Sequence, residues 1–389
     1  MKKICVITTS RADYGLLYSL IQKIHSSLVI KLQLIVSGSH LSPRHGMTVN
    51  QIHEDGFLVD AEVPIIQDAD SELDISVAFS LGITGFANAY KKLSPDMVLI
   101  LGDRYEILAA AISATIANIP IIHLHGGEIT RGAYDDAFRH SITKMAHLHF
   151  VAAKPYLDRV IQLGENSENV YCVGGLGVDA IQTISLLSRQ ELAEELKIEL
   201  KGKLLLVTFH PVTLEKLQNQ VQISSLLEAL SEFSKNKIHD STIIFTMPNA
   251  DTEGLKISRQ IDAFVKKNKN AYFFTSLGQQ RYYSCLNQFD AVIGNSSSGL
   301  LEAPSFKIPS VNIGSRQEGR LKAPSIIDCD TSTIQILEAI KLALSKHFRH
   351  QIKNVKNPYG DGGASQKIVN ILENIKISGI QNKKFYDNF

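Results

Sequence analysis

Residues 96–128 read DMVLILGDRYEILAAAISATIANIPIIHLHGGE. The reading of this stretch decides the fold. An apolar run of strand length, DMVLILGD, ends on a glycine and an aspartate. YEILAAAISATIAN then has helical spacing, and IPIIHLHGG is a second apolar run. Runs that stay apolar, instead of alternating, belong to strands covered on both faces, and strand–helix–strand order implies a parallel sheet. Ligands bind outside the carboxyl ends of such strands. Asp103, Arg104, His123, His125 and Glu128 all fall there.

The alternation extends both ways. Upstream lie KICVITTS (strand), YGLLYSLIQKIHS (helix), KLQLIVSGSH (strand), a third strand within FLVDAEVPI and the helix SVAFSLGITGFANAYKKL. Downstream, RHSITKMAH begins a helix and LHFVAA is a strand. VYCVGGLGVDAI carries the chain out through three glycines as a linker. The pattern then restarts with KLLLVTFHP, STIIFTMPN, AYFFTS, FDAVIGNSSSG and PSVNIG as strands, separated by helices such as QISSLLEALSEFSK. The expected fold class is therefore α/β, with two Rossmann-like doubly wound domains facing a central cleft. Residues 1–172 form the first and 173–365 the second. Residues 366–389, with the helix in GASQKIVNILENIKIS, are expected to pack back on the first.

Composition narrows the function. A chain of 389 residues is too long for one ordinary core. Lys plus Arg total 40 against 39 acidic residues, a net charge of +1. No overall field draws the protein to nucleic acid or to a membrane, so any basic site is local. Cys5, Cys172, Cys285 and Cys329 are far apart and form no C-x-x-C pair, which favours reduced thiols over a disulfide framework. MKKICVITTSRADYG reads as a first strand and not as a signal peptide, and no run approaches membrane-spanning length. The expectation is a cytoplasmic protein.

Polar clusters recur after the strands. In TTSRADYG, Ser10 can cap a helix and Arg11 sits where N–H groups and a guanidinium can meet an anion; the alternative is a cap followed by a surface arginine. No G-x-G-x-x-G is present, which argues against a dinucleotide cofactor. Asp103 and Arg104 tip the fourth strand, where Asp is also a common helix cap. In IIHLHGGE the period of two sends His123 and His125 to one face. The cluster reads as a zinc site, an acid–base site, or a turn whose histidines pack; no other ligand-spaced pair accompanies it, so zinc is disfavoured. Asp135 and Asp136 add carboxylates nearby, and also suit a helix start.

The second half carries its own set. His210 ends a strand before Pro211, and Asn249 and Asp251 follow the next. IGNSSSGLLEAP offers Ser296, Ser297 and Ser298 at a helix start, with Glu302 one turn on placed for a ribose hydroxyl pair. GSRQEGR adds Arg316 as a countercharge. Together these read as a nucleoside-diphosphate site.

SRADYG, GDRYE, HLHGGEIT, DDAFRHSITKMAHLH, FHPVT, MPNAD, GNSSSGLLEAP and GSRQEGR, in this order, resemble the hydrolysing UDP-N-acetylglucosamine 2-epimerases of sialic-acid-type biosynthesis. The resemblance covers nearly the whole chain. It implies the two-domain fold of B-type glycosyltransferases, conversion of UDP-N-acetylglucosamine and water to N-acetylmannosamine and UDP, no cofactor and no metal. A homodimer or homotetramer is also implied. The same family acts on UDP-N,N′-diacetylbacillosamine on the way to legionaminic acid, and this is the alternative substrate. Carried over by motif, Asp103, Asp135 and His210 match catalytic positions. Arg11, Ser296, Ser297, Glu302 and Arg316 match UDP-holding positions, and Tyr14, His40, Arg104, His210, Asn249 and Asp251 join the substrate-binding set. Many relatives have a glutamate where this chain has His125, so either His125 or Glu128 takes that role or the chain belongs to a branch with a rearranged acid–base pair.

Overall fold

The computed structural model describes residues 1–65, 71–129, 135–211, 218–235, 240–248 and 252–387. In chain order, the first part contains β1 (Lys2–Thr8), α1 (Arg11–His25), β2 (Ile30–Ser37), α2 (Val49–Glu54), β3 (Ala61–Val63), α3 (Glu72–Leu93) and β4 (Met97–Leu101). It continues with α4 (Tyr105–Ile116), β5 (Ile121–Leu124), α5 (Asp135–Met145), β6 (Leu148–Val151), α6 (Lys154–Gln162), β7 (Val170–Cys172) and α7 (Leu176–Thr183). The seven strands pair in parallel in the order β3-β2-β1-β4-β5-β6-β7. Successive strands run outward one way from β1 and then, from β4, the other way. The order reverses between β1 and β4, and a doubly wound sheet opens its ligand crevice at that reversal.

The second part contains α8 (Arg189–Leu196), β8 (Lys203–Thr208), α9 (Asn219–Lys235), β9 (Ser241–Thr246), α10 (Thr252–Lys267), β10 (Ala271–Phe274), α11 (Gly278–Gln288) and β11 (Ala291–Gly294). After these come α12 (Ser298–Leu301), β12 (Ser310–Ile313), β13 (Ile326–Cys329), α13 (Thr333–Leu344), α14 (Lys346–Gln351) and, last, α15 (Ala364–Asn374). Its six-stranded sheet, again parallel, is ordered β10-β9-β8-β11-β12-β13, with the reversal between β8 and β11.

Burial explains why the central strands read as unbroken apolar runs. Ile4, Cys5, Val6 and Ile7 of β1 are all fully buried, with Ile4 and Val6 in one core cluster and Cys5 and Ile7 in another. One cluster packs α1 and α15 on one face of the sheet, and the other packs α3 and α4 on the opposite face. Each large side chain taken from water contributes about 1.5–3 kcal/mol, so the two-sided cover is the main force holding the sheet.

By internal contacts, one compact unit takes in Met1–Ile129, residues 135–180 and Tyr359 to the C-terminus; the other is Ile181–Pro358. The chain therefore leaves the first unit after Ala180 and re-enters it at Tyr359. The re-entry is fixed by polar contacts: Gly175 donates its N–H to the Tyr359 carbonyl at 2.8 Å, and the Tyr156 and Tyr359 hydroxyls lie 3.0 Å apart. Asp179 accepts the first N–H groups of α15, from Ala364 at 2.7 Å and Ser365 at 2.5 Å. The stretch read as a linker is ordered instead: VYC forms edge strand β7, and LGVDAIQT forms α7. Strand β13, IIDC, was not anticipated; it too is a short edge strand.

Candidate active site

Three elements of the first unit bring ionisable side chains together. β4 ends just before Asp103, β5 just before the turn from His125 to Glu128, and α5 begins at Asp135. The organising residue is Arg139, one turn into α5. Its side chain is 5% exposed and its guanidinium pairs with Asp103, while Nη1 lies 3.8 Å from Glu128 Oε2. Burial alone would lower its pKa, but the charges of Asp103 and Glu128 outweigh that and hold it protonated. Asp135 moves the other way. Burial, and then the Asp103 charge, raise its carboxyl to about 6, against the opposing fields of Arg104 and Arg139. A carboxyl there exchanges its proton near neutral pH.

Strand alternation does not reach His125, and here the structure departs from the same-face expectation. β5 stops at Leu124, and His125 adopts φ +61°, outside strand geometry. The turn that follows needs Gly127, whose φ is +77° and where a Cβ would stand 2.4 Å from the Tyr156 carbonyl oxygen. The result is a pair: His125 Nδ1 lies 2.9 Å from Glu128 Oε1, and Glu128 is only 4% exposed. His125 Nε2 is buried and has no hydrogen-bond partner among the described residues. His123 does something different. Its Nε2 donates to the Gly102 carbonyl at 2.9 Å, Nδ1 lies 3.2 Å from Thr143 Oγ1, and burial drops its pKa to about 3. A neutral ring with both nitrogens committed offers zinc no ligand, and ties β4 to α5.

The turn after β1 places Arg11, Tyr14 and His40. Asp13 fills the start of α1: its carboxylate accepts the Thr9 N–H at 3.0 Å and the Thr9 hydroxyl at 2.8 Å, and also pairs with the Thr8 hydroxyl. The helix thus supplies its own anion, which leaves Arg11 an exposed side chain beyond a capped start. The Tyr14 ring is in the core, and its hydroxyl donates to Asp55 at 2.6 Å. His40 is 0% exposed, with Nε2 at 2.9 Å from the Thr8 hydroxyl and Nδ1 at 2.8 Å from that of Thr48. Tyr14 and His40 therefore brace this turn with their polar atoms. Arg104 is exposed and chelates the buried Glu106, with Nη2 to Oε1 at 2.7 Å.

In the second unit the reversal point gathers another set. β8 and β11 are adjacent, with Thr208 paired to Gly294. Just beyond, the His210 N–H donates to Asn295 Oδ1 at 2.7 Å and Asn295 Nδ2 donates back to the His210 carbonyl at 2.8 Å. Arg316 Nη1 and Gln317 Nε2 both donate to the Asn295 carbonyl, at 3.0 and 2.8 Å. Asn295 is thus a hub that fixes His210 beside Arg316. Burial, then the Arg316 charge, lower the His210 pKa to about 3, so the ring is neutral and serves as a hydrogen-bonding group.

The serine run does start a helix, α12, but one of only four residues, whose dipole contributes little. Ser298 accepts from the Tyr282 hydroxyl at 2.8 Å, while Ser296 and Ser297 are half-buried. Glu302 is 8% exposed; burial raises its pKa, opposed by the Ser298 hydrogen bond and the charge of Arg320. Its Oε2 meets no partner among the described residues and can accept from a hydroxyl. Asn249 and Asp251 lie outside the described residues. Sequence reading missed Arg139 and Asn295, although both sit inside quoted motifs, RHSI and GNSSSG.

Two tandem parallel α/β units of this strand order define the architectural class of the B-type glycosyltransferases and the nucleotide-sugar epimerases. A solved structure of Staphylococcus aureus MnaA with UDP shares it, with a TM-score of 0.81 over 100% of both chains at 20% identity. The chain belongs to the UDP-N-acetylglucosamine 2-epimerase family, whose model matches residues 22–373. It is 39% identical over 388 residues, 99% of both proteins, to the GDP/UDP-N,N′-diacetylbacillosamine 2-epimerase (hydrolyzing) of Campylobacter jejuni. To the UDP-N,N′-diacetylbacillosamine 2-epimerase (hydrolyzing) of Legionella pneumophila it is 36% identical, over 98% of this chain and 99% of that protein. It is an enzyme of this family. Among the described residues, no helix is long and apolar enough to cross a membrane.

Proposed function

We propose that the enzyme hydrolyses and epimerises a UDP-linked 2-acetamido sugar, and that the sugar is N,N′-diacetylbacillosamine. The products are UDP and 2,4-diacetamido-2,4,6-trideoxymannose. The choice of sugar rests on the two near-full-length relatives named for it. The family model is named for UDP-N-acetylglucosamine, which makes N-acetylmannosamine formation the second reading.

The chemistry is elimination followed by hydration. A base removes the C2 proton as the C1–O bond to UDP breaks, giving a 2-acetamidoglycal. Water then adds at C1 and a proton returns to C2 from the opposite face. Two proton carriers on opposite faces are required. The first is Asp135, supported by its carboxyl titrating at about 6 beside Asp103. The second is His125: the Glu128 carboxylate 2.9 Å from Nδ1 would favour a proton on that nitrogen, which would leave Nε2 to accept or return one. Asp103 and Arg139 keep these groups in register and set the local field. Arg316, neutral His210, Ser296 and Ser297 would hold the diphosphate, and Glu302 the ribose hydroxyls. The observation that carries the reading is the convergence of Asp103, Glu128 and Arg139 from β4, β5 and α5.

The test is direct. The purified enzyme is incubated in D2O with each UDP sugar, and the released sugars are identified. We expect UDP release, inverted C2 and deuterium at C2, faster with UDP-N,N′-diacetylbacillosamine. Faster release from UDP-N-acetylglucosamine would select the second reading, and product without deuterium at C2 would rule out proton abstraction there. Asp103→Asn should reduce turnover by at least about 100-fold yet leave UDP affinity within a few-fold, since it lies outside the second unit.

A further inference from the structure

We infer that Lys383 is a positioning residue: from the C-terminal segment after α15 it clamps the far end of α5 and so sets the placement of Arg139 and Asp135. A helix leaves its last carbonyls without partners inside the helix. At the end of α5 a single ammonium reaches three carbonyls. Lys383 Nζ donates to the carbonyls of Lys144 and Ala146, both at 2.6 Å, and lies 3.4 Å from that of Thr143. A cation at this end also matches the helix dipole.

The ammonium is itself held. Glu165, 3% exposed, sets Oε2 2.7 Å from Lys383 and 3.0 Å from His149 Nε2, and Oε1 2.7 Å from Lys144. Burial alone would raise the Glu165 pKa, but the hydrogen bonds from His149, Lys144 and Lys383 outweigh it and hold it below the usual range. The segment has two further attachments. Tyr386 donates its N–H to the Gly164 carbonyl at 3.0 Å, and Lys144 Nζ lies 4.7 Å from the centre of the Phe385 ring. The ring packs so closely on Gly164 that a Cβ there would come within 2.5 Å of it.

α5 transmits this hold. Thr143 Oγ1 lies 3.0 Å from the Arg139 carbonyl and 3.2 Å from His123 Nδ1, and His123 in turn grips Gly102, the neighbour of Asp103. Asp135 is the first residue of the same helix, about 16 Å away along a rigid rod. A small tilt at the clamped end therefore moves both Asp135 and Arg139. Misplacement of reacting groups by about 1 Å costs up to about 100-fold in rate. Lys383 touches none of the proposed proton carriers.

The inference rests on the acid–base reading of Asp135 and Arg139, and the test separates the two. Lys383→Met, Lys383→Arg and Phe385→Ala are made in the full chain. Amide hydrogen exchange across residues 135–146 is measured together with kcat, KM and UDP affinity. We expect Lys383→Met to speed exchange in α5 and lower kcat about tenfold or more, with KM and UDP affinity within twofold. Lys383→Arg should recover most of kcat, and Phe385→Ala should produce a smaller change of the same kind, which covers the case where Lys383→Met does not fold. Unchanged exchange in α5 overturns the clamp whatever the activity. Faster exchange with unchanged kcat, or a matching loss of UDP affinity, overturns the positioning role. A wild-type enzyme that releases UDP from no UDP sugar defeats the acid–base reading instead, and the exchange data still decide whether the clamp exists.

Discussion

Asp135 links the stability of the fold to pH through one proton. Its folded pKa of about 6 lies above the ordinary 3.8, so the fold favours the protonated form. The resulting stabilisation is complete below the unfolded value and is lost as pH rises through the folded one. Asp135→Asn should therefore match the wild type near pH 4 and exceed it by about 1–2 kcal/mol above pH 7, allowing for partial solvent access. Urea melts at the two pH values check this; an equal difference at both would refute it. The wild-type kcat/KM should rise through about pH 6 if the ionised carboxylate is the base. In the second unit, Arg316→Ala and Glu302→Gln should each weaken UDP binding about tenfold or more by calorimetry. Unchanged affinity would remove them from the nucleotide site. Residue types told much here: carboxylates and histidines at strand ends marked out the ionisable cluster around Arg139. They could not say that Tyr14 and His40 would spend their polar atoms on Asp55, Thr8 and Thr48, because those partners come from distant parts of the sequence.

Elements explain which expectations held. Central strands such as β1 and β4 were legible because two-sided burial demands an unbroken apolar run. Edge strands β7 and β13 were not, since VYC and IIDC are short and keep half-exposed or exposed residues, so they lack that run. The turn from β5 to Glu128 is the element that pairs His125 with Glu128. Gly127→Ala combines a positive φ with a clash against the Tyr156 carbonyl, and we expect a loss of about 2–4 kcal/mol together with reduced kcat. Thermal unfolding of the variant, with retained UDP binding as the control, measures it. α12 shows the reverse case, where a serine-rich motif suggested a full helix start but Ala303 and Pro304 end the helix after one turn.

At the scale of the molecule, the repetition of strand and helix gave both units from sequence, because each is a complete doubly wound sheet with its own core. The proposed seat of UDP in the second unit predicts a footprint. UDP alone should slow amide exchange at residues 205–211 and 291–299 and leave 121–129 unchanged; protection confined to the latter would reverse the assignment. The exchange of segments at Ala180 and Tyr359 was less legible, because it depends on which side chains receive α15 and not on the pattern of α15 itself. One contact described by its range alone makes the point: Lys2, in β1, donates to the carbonyls of Leu372, Glu373 and Ile375 at the end of α15, at 3.0, 2.8 and 2.6 Å. Strand β1 must thus wait for residues 370 positions further along the chain before its layer is sealed. During that wait the nascent sheet shows water the apolar surface that α15 later covers, and such exposed surface favours aggregation.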